Sequence, residues 1–333
     1  MKVTSMILAG DIGGTKTVLA LFESHDDKLQ LAREGTFSSR RYASFDDILA
    51  EFLKQQPQAT IHAGCFGVAG AVIDGKCHTT NLPWNLDEKD LAPVINSPQA
   101  KLLNDLEAAA YGMLYLKQDE LCALNPDARK SLKGNVAVIA AGTGLGEAIL
   151  YWNGKRYHPL ASEGGHCDFA PRNEQEIELL RYLQKKLGGH VSYERILSGP
   201  GFSNVYSFLR DSGFASESPE IAKQMKAGDA NAVIGQHGLA GTDKLSAETL
   251  RLVVTIYGAE AGNLALKCVA VGGVFIGGGI SPKILPAFQT GAFMKGFTEK
   301  GRFGELLKSM PVNVALNARA PLLGAAHYAA EMN

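Results

Sequence analysis

The feature of the sequence that most restricts its fold is a strand–glycine turn–strand pattern that occurs twice. In the first copy, apolar residues 3–9 lead into a glycine-rich segment at 10–15, and a second apolar segment follows at 18–22. In the second copy, the corresponding segments are 136–140, 141–146 and 148–152. Short apolar segments separated by glycines are typical of paired strands. The two copies therefore predict two structurally related halves, although the residues match only in pattern.

The other patterns along the chain predict a mixture of helices and strands. Ser44 followed by Asp47 is the pattern of a capping box, and it predicts a helix through Lys54. Ser281 before Pro282 predicts an N-cap followed by a helix. Further strands are predicted at 29–37, 61–68, 101–103, 274–276 and 312–316, and helices at 105–116, 246–269 and 321–331, within a mostly helical region at 174–269.

Charge and composition argue against several classes of protein. Lysine and arginine together number 33, aspartate and glutamate 34, and the net charge is −1. A general binder of nucleic acid or of membrane surfaces would carry an excess of basic residues. No uninterrupted apolar segment reaches the roughly 20 residues of a membrane span. We therefore expect a globular protein with neither a nucleic-acid nor a membrane partner.

The five cysteines are far apart and form no C-x-x-C pair. Paired cysteines at that spacing are the usual ligands of structural zinc, so such a site is not expected. An odd number of scattered cysteines indicates reduced thiols. We therefore expect a cytoplasmic protein.

The first glycine turn, residues 10–15, has the composition of a phosphate-binding segment. Glycines let the backbone turn sharply and approach a ligand closely, and the exposed N–H groups of such a turn can hold phosphate. Asp11, at the end of the predicted strand, can anchor a hydrated magnesium ion. An ordinary hairpin with a glycine bulge is the alternative. The turn is not a P-loop, because G-x-x-x-x-G-K-[ST] does not occur and a strand follows.

The second glycine turn, residues 142–146, reads G-x-G-x-G. A Rossmann fingerprint would require a helix after it, whereas residues 147–152 are typical of a strand. Two glycine hairpins, one from each half, can close on one phosphate chain from both sides. This pairing favours phosphate binding more than either turn does alone.

A third glycine cluster, residues 277–279, follows a predicted strand and precedes a predicted helix. Backbone without side chains can lie against a flat ring such as adenine. Close packing of helix on strand explains the cluster equally well, and both explanations stay open.

Asn104 and Asp105 lie where a predicted strand meets a predicted helix. Either residue can simply cap the helix. A carboxylate at a helix N-terminus also stays ionised, because the helix dipole favours the anion. That property suits a general base of modest strength.

Glu163 and His166 lie on either side of a glycine pair, and Glu194 adds a second carboxylate further along. Carboxylates and an imidazole can bind sugar hydroxyls through charge-assisted hydrogen bonds. Zinc ligation is the alternative for the set, although no H-E-x-x-H spacing occurs. A surface salt bridge is the alternative for Glu194.

Taken in order, these segments resemble the bacterial-type glucokinases of the actin-like ATPase superfamily, which also contains hexokinases. The resemblance extends from residue 6 to the C-terminal helix. It rests on residues 10–15, 103–105, 142–146, 162–166, Glu194 before 197–199, and 277–279. The chain also resembles the neighbouring ROK sugar kinases, but it departs from their cysteine-rich zinc motif, since only Cys167 follows residue 166.

The resemblance implies an α/β fold of two actin-like, ribonuclease H-like domains with a cleft between them. The smaller domain would contain residues 1–117 plus 314–333, and the larger one residues 118–313. Asp105 would be the catalytic base, and the sugar would be bound by Asn104, Asp105, Glu163, His166 and Glu194. Magnesium would be held by Asp11 through water. ATP would be bound by Gly10, Asp11, Ile12, Gly13, Gly14, Thr15, Gly142, Thr143, Gly144, Gly278 and Gly279.

The implied reaction is transfer of the ATP γ-phosphoryl group to the 6-hydroxyl of D-glucose, which would feed glycolysis. The implied partners are glucose, ATP with Mg²⁺, and a second copy of the chain in a homodimer. A kinase for another hexose or for an N-acetylated amino sugar of the ROK type is the alternative enzyme. A sugar-sensing binding protein without catalysis and a chaperone-type ATPase are the alternatives from other classes.

Overall fold

A computed structural model describes residues 5–25, 28–55, 60–79, 81–128 and 133–332. The chain forms two compact units. The first contains Met1–Lys117, Pro159–Ala161 and Asn317–Asn333, and the second contains Gln118–His158 and Ser162–Leu316. The strand Val312–Ala315 lies wholly in the second unit, so the boundary expected at residue 314 would cut through it.

The strands and helices follow one another along the chain in a mixed α/β order. The strands are β1 Ser5–Ile12, β2 Lys16–His25, β3 Lys28–Ser38, β4 Ile61–Val68, β5 Val72–Ile73, β6 Lys76–His78, β7 Asn85–Asp87, β8 Ala100–Asn104, β9 Leu121–Ala123, β10 Val136–Ala141, β11 Leu145–Trp152, β12 Tyr157–Leu160, β13 Gly273–Gly277 and β14 Val312–Ala315. The helices are α1 Phe45–Lys54, α2 Glu88–Val94, α3 Asp105–Met113, α4 Glu174–Leu187, α5 Gly199–Asp211, α6 Pro219–Ala227, α7 Ala230–Ala240, α8 Lys244–Cys268, α9 Leu285–Phe288, α10 Ala292–Thr298, α11 Gly304–Ser309 and α12 Ala320–Ala330.

The first unit is built on a five-stranded sheet in the order β3-β2-β1-β4-β8. Strands β1, β4 and β8 are parallel, while β2 and β3 are antiparallel to their neighbours. In this register Asp11 is opposite Gly67, and Val68 is opposite Asn104. The carboxyl ends of β1, β4 and β8 therefore bring Asp11 and the Asn104–Asp105 junction to one edge of the sheet.

Side chains along β1 alternate between two cores, as the period of a strand requires. Leu8 and Ile12 belong to the core that α1 covers, and Ile7 and Ala9 belong to the core that α12 covers. Both faces of the sheet are therefore buried, which explains why residues 6–9 read as one continuous apolar segment.

Helices α3 and α12 cross at a contact between backbones. A Cβ atom at Gly324 would collide with the carbonyl oxygen of Ala108, and one at Gly112 would collide with that of Ala320. The two glycines let the helices approach until backbone touches backbone.

We expect Gly324→Ala to lower the free energy of unfolding by about 1–3 kcal/mol, because overpacking costs roughly that much. Alanine is intrinsically the better helix former by about 1 kcal/mol, so helix propensity alone predicts the opposite sign. The matched control is Gly235→Ala within α7, where the nearest atom to the added Cβ outside that helix lies 3.9 Å away. Urea unfolding of both variants measures the effect. Equal stability of the two variants would contradict the prediction.

The second unit is built on a six-stranded sheet in the order β12-β11-β10-β13-β14-β9. The long helix α8 runs through its core and is buried over most of its length. The Asp243 side chain begins this helix by accepting a hydrogen bond from the Ser246 N–H at 2.8 Å. Tyr257 of α8 accepts a hydrogen bond from the Ala141 N–H at 3.0 Å and so ties the helix to the end of β10.

Both predicted glycine hairpins are confirmed, as β1–β2 and β10–β11. The capping box at Ser44 is confirmed, and the helix predicted from residue 105 ends at Met113 instead of 116. The N-cap predicted at Ser281 is wrong, because Ser281 is the first residue of a 3-10 turn that ends at Ile284. Its hydroxyl donates to the Gly277 carbonyl at 2.8 Å, which is a bond back to the strand instead of a cap.

Two further features of the first unit lie outside the predicted elements. Strands β5, β6 and β7 form a separate antiparallel sheet, and α2 continues past Pro93 for one residue. Among the helices that the structure describes, none combines the length and the apolar character that crossing a membrane would require.

Candidate active site

The turn between β1 and β2 is held in place by a serine from beyond β3. The Gly13 N–H donates to the Lys16 carbonyl at 3.0 Å, which closes the turn. Ser39 donates its hydroxyl to the Gly13 carbonyl at 2.7 Å, and its N–H donates to the Thr15 carbonyl at 3.0 Å. The backbone of this turn is therefore fixed before any ligand arrives, which is what a phosphate-binding turn needs.

The residues of this turn differ in what their side chains do. A Cβ at Gly10 would lie 2.6 Å from the Phe66 ring, and one at Gly14 would lie 2.8 Å from the Asn81 Cβ. The Ile12 side chain is buried in the core. Gly10 and Ile12 are thus explained by packing, and the partly exposed residues 13 and 14 are where the backbone is accessible.

Asp11 is a partly buried carboxylate with a like charge nearby. Burial, and then the charge of Asp105, raise its pKa to about 6 against the opposing effect of Lys16. A carboxyl that is costly to ionise, beside a second carboxylate, is an environment that a cation stabilises. Asp11 therefore fits the water-mediated anchor that hydrated magnesium prefers.

Asn104 and Asp105 form the N-terminus of α3. Asn104 accepts from the Leu106 N–H at 2.9 Å, Glu107 accepts from the Asn104 N–H at 2.8 Å, and together they make a capping box. The Asn104 amide also donates to the Gly70 carbonyl at 3.0 Å. Capping by Asn104 is therefore confirmed.

Asp105 is exposed at the first position of α3. One of its carboxylate oxygens accepts from the Leu106 N–H at 2.8 Å, which orients the group. The carboxylate lies at the N-terminus of α3, where the helix dipole favours the ionised form of an acidic group.

In the second unit, the turn at 142–146 is joined to two other segments. The Gly142 N–H donates to the Gly144 carbonyl at 2.8 Å, and the Gly142 carbonyl accepts from the Gly199 N–H at 2.9 Å, at the start of α5. The Leu145 N–H donates to Glu194 Oε2 at 3.0 Å. A Cβ at Gly144 would lie 2.5 Å from the same oxygen, so the glycine is what lets this carboxylate reach the turn.

Glu194 also approaches His166, and its Oε2 lies 4.0 Å from His166 Nε2. Glu163 is exposed and immediately precedes the 3-10 turn Gly164–His166. A Cβ at Gly165 would collide with the Leu145 carbonyl oxygen, so this turn lies directly on β11. The structure thus brings Glu194 and His166 together beside the glycine turn, with Glu163 three residues before the histidine.

A cavity of about 880 Å³ opens beside the same turn in the second unit. Three residues of the predicted ATP set line it, namely Gly142, Thr143 and Gly279. Its volume falls in the range of pockets that hold small-molecule ligands, about 300–1,000 Å³. An extended nucleotide therefore has room next to Gly142.

Gly278 has a different role from Gly279. Its φ is +81°, and a Cβ there would collide with the Ala141 carbonyl oxygen. Close packing therefore explains Gly278, whereas Gly279 has no atom within 4 Å of an added Cβ and faces the cavity. Close packing thus applies to Gly278, whereas backbone that can lie against a flat ring applies to Gly279.

Several lining residues were not singled out from the sequence. They come from the start of α5, from α7 and from the turn after β13, and include Pro200, Phe202, Asn231, Gln236, Ile280 and Lys283. Their only sequence signal is Gly199–Pro200 after Ser198, which marks the beginning of α5. Their convergence depends on helix packing, which the sequence does not display.

No group of three or more His, Cys, Asp or Glu side chains suited to a metal ion occurs among the described residues. Zinc ligation by His166 with Glu163 and Glu194 therefore has no support from the geometry. A magnesium ion held mostly by water and by substrate phosphates needs only one or two carboxylates, and Asp11 supplies one.

Comparison with known proteins places this geometry in a family. The sequence model of the family described as glucokinase matches residues 8–332. The glucokinase of Trichormus variabilis is 42% identical over 342 residues, covering 98% of this chain and all of that protein. The crystal structure of a glucokinase from an Antarctic psychrotroph superposes with a TM-score of 0.87 at 30% identity, covering 98% of this chain and 99% of that one.

A more distant neighbour is the ROK-family glucokinase of Streptomyces griseus, solved in complex with glucose and AMPPNP. It is 20% identical, covers 98% of this chain and all of its own, and superposes with a TM-score of 0.62, which reflects the shared two-domain actin-like fold. The family model matches nearly the whole chain, and full-length relatives are 42% identical to it. The chain belongs to the glucokinase family.

Proposed function

We propose that the chain is an ATP-dependent glucokinase that transfers the γ-phosphoryl group of ATP to the 6-hydroxyl of D-glucose. The observation that carries the proposal is the cavity of about 880 Å³ whose lining joins Gly142 and Thr143 of the glycine turn to Gly279. Beside that turn lie Glu194 and His166, which are suited to sugar hydroxyls. A nucleotide site and a polyol site that share one turn are what a sugar kinase requires.

The two glycine turns would hold the phosphates of ATP through backbone N–H groups. The turn at residues 13–15 is pre-organised by Ser39, and the turn at 142–146 is pre-organised by its bonds to Glu194 and Gly199. Such fixed donors stabilise charge without having to reorganise during the reaction. Magnesium, which Asp11 would anchor through water, would neutralise charge on the phosphate oxygens.

Asp105 would orient the 6-hydroxyl and accept its proton late in the transfer. Phosphoryl transfer has a loose transition state, so positioning matters more than the strength of the base. A carboxylate fixed by the Leu106 N–H at a helix N-terminus is well oriented and only weakly basic. Both properties suit this role.

The sugar would be bound by two sets of polar groups. Asn104 and Asp105 would bind hydroxyls on one side of the ring, while Glu163, His166 and Glu194 would bind those on the other. Binding of both substrates would exclude water, which would otherwise take the phosphoryl group. Polar partners left unpaired by a missing hydroxyl would give strong discrimination among sugars.

A coupled assay of ADP release with a panel of hexoses tests the proposal. We expect turnover with D-glucose and ATP, and glucose 6-phosphate as the product. Preference for another hexose or for an N-acetylated amino sugar would favour the alternative kinase. Binding of sugar without ADP release would favour the sugar-sensing protein.

We expect Glu194→Gln and Glu163→Gln to raise KM for glucose while changing kcat less. The neutral amide weakens the charge-assisted hydrogen bonds to sugar hydroxyls, which contribute about 1.5–3 kcal/mol each, or roughly tenfold to 100-fold in binding. Glu194→Gln should also raise KM for ATP, because Glu194 accepts the Leu145 N–H of the glycine turn and Glu163 does not. Steady-state kinetics with both substrates measures the two effects. An unchanged KM for glucose in both variants would contradict the assignment.

The proposal also includes the requirement for Mg²⁺, a cytoplasmic location, a place in glycolysis and assembly into a homodimer. The environment of Asp11 supports the magnesium requirement. The resemblance of the chain to bacterial-type glucokinases supports the others.

A further inference from the structure

Two glutamates are buried side by side beneath the sugar-binding residues of the second unit. Glu147 on β11 is 1% exposed, and Glu260 on α8 is fully buried. Their carboxyl groups are within hydrogen-bonding reach of each other. Two buried carboxylates at that distance cannot both be ionised without a large cost, so one proton between them is the stable arrangement.

The neighbours of the two glutamates favour a proton on Glu147. Glu260 Oε2 accepts from the Asn263 amide at 2.7 Å, and Glu260 Oε1 lies 3.6 Å from the Lys267 ammonium. Glu260 therefore has an amide donor and an ammonium group as neighbours. Oε1 of Glu147 and Oε1 of Glu260 are both buried without a hydrogen-bond donor, so a proton on Glu147 supplies the missing hydrogen bond between the two carboxyl groups. Burial, and then the charge of Glu260, raise the pKa of Glu147 to about 8.

The pair touches both segments that present sugar-binding residues. A Cβ at Gly164 would collide with Glu147 Oε2, so the turn between Glu163 and His166 lies directly on the Glu147 carboxyl. On the other side, the Tyr193 hydroxyl, next to Glu194 in sequence, hydrogen-bonds to Glu260 and accepts from the Asn263 amide at 3.1 Å. A change in the charge of the pair therefore acts on both segments.

We propose that Glu147 and Glu260 share one proton, and that this protonated pair is a positioning device that holds the 163–166 turn and the Tyr193–Glu194 segment in the geometry that binds glucose. This inference rests on the proposed function, because it concerns the site assigned there to the sugar. Loss of the proton places two like charges against the Gly164 backbone and the Tyr193 hydroxyl and separates the carboxyl groups. The side chains of Glu163, His166 and Glu194 then leave the positions in which they bind the sugar.

The other charged and titratable groups around the pair do not replace this proton. Lys267 lowers the pKa of Glu147, but burial and Glu260 outweigh it. The groups that face the pair or the Tyr193 hydroxyl next to it are Lys267 and Tyr257 from α8, Tyr193 from the 3-10 turn at 193–195, Glu176 from α4, and Lys300 after α10. Burial raises the pKa of both tyrosines, so they stay neutral across the range in which Glu147 titrates.

The test is the pH dependence of KM for glucose in the full chain and in Glu147→Gln. In the unmodified chain we expect KM to be constant near pH 7 and to rise about tenfold to 30-fold by pH 9.5, as the binding-competent fraction falls. In Glu147→Gln the amide N–H replaces the shared proton permanently, so KM should stay near its neutral value up to pH 9.5. Glu305→Gln, an exposed carboxylate of the same unit, is the matched control and should follow the unmodified chain.

Two further measurements keep the test decisive if Glu147→Gln folds poorly. Glu260→Gln leaves only one charge in the pair when Glu147 ionises, so the rise in KM between pH 7 and 9.5 should be much smaller than in the unmodified chain. In thermal unfolding, the Tm of the unmodified chain should fall relative to that of Glu147→Gln between pH 5 and 8 and no further above it, because the folded chain retains the proton in that window.

A KM for glucose that is flat from pH 7 to 9.5 in the unmodified chain overturns the inference. The same pH dependence of KM in Glu147→Gln and in the unmodified chain also overturns it. Neither result touches the proposed function, which fails instead if the unmodified chain does not phosphorylate glucose at pH 7.

Discussion

Replacement of Asp105 by asparagine is expected to lower kcat by about 10²–10⁴, the usual contribution of a positioned general base. Asparagine retains a side-chain oxygen that can accept from the Leu106 N–H, so the start of α3 should remain intact. What is lost is the carboxylate that we propose orients the 6-hydroxyl and accepts its proton. KM for glucose should change much less than kcat, since the amide can still bind the hydroxyl.

Steady-state kinetics and thermal unfolding of Asp105→Asn measure these expectations together. Asp90→Asn, at an exposed position of α2 in the same unit, is the control for loss of one surface carboxylate. We expect the Tm of Asp105→Asn to stay close to that of the control while kcat falls. Near-normal turnover in Asp105→Asn would eliminate the base assignment.

Replacement of Asp11 by asparagine is expected to change stability and activity in opposite directions. The pKa of Asp11 is raised from 3.8 to about 6, mainly by burial. The folded chain therefore binds the proton more tightly than the unfolded chain, and stability is lost as the pH rises from about 4 to 6. At pH 8, without Mg²⁺ or nucleotide, Asp11→Asn should be more stable by about 1–3 kcal/mol.

The activity of Asp11→Asn should fall about tenfold to 100-fold, the usual effect of removing a group that holds a metal through an outer-shell contact. The loss of activity should appear mainly as a smaller stimulation of the rate by Mg²⁺ and a higher KM for MgATP. In the unmodified chain, kcat/KM for MgATP should decrease as the pH falls below about 6, where Asp11 becomes protonated. A destabilised Asp11→Asn chain at pH 8, or one with full activity, would contradict this account.

The parts of the structure that the sequence predicts are those with a local cause. The two glycine hairpins follow from apolar segments on either side of a turn, and the capping box at Ser44 follows from residues three positions apart. A cap at Asn104 or Asp105 is predicted because both residues lie where a strand meets a helix, and Asn104 forms it. Strand β4 appears in the sequence as an apolar segment because both faces of its sheet are buried.

The parts that the sequence does not predict depend on contacts between distant segments. Ser39 fixes a turn that lies 26 residues earlier in the chain. Tyr257 reaches Ala141 from 116 residues away, and the cavity lining comes from α5, α7 and the turn after β13. Ser281 shows the opposite error, because its local cap signal is overridden by a bond to Gly277. Local sequence patterns determine turns and helix caps, whereas packing between distant segments determines which of these elements come into contact.

The position of Glu194 has a consequence for how the binding of one substrate affects the binding of the other. One oxygen of this carboxylate accepts from the glycine turn and lies 4.0 Å from His166. Under the proposed function, a sugar that orders this oxygen also orders the backbone of the glycine turn that we propose binds phosphates. Binding of either substrate then lowers the entropic cost of binding the other. Thermodynamic reciprocity then requires that hexose tighten nucleotide by the same factor by which nucleotide tightens hexose.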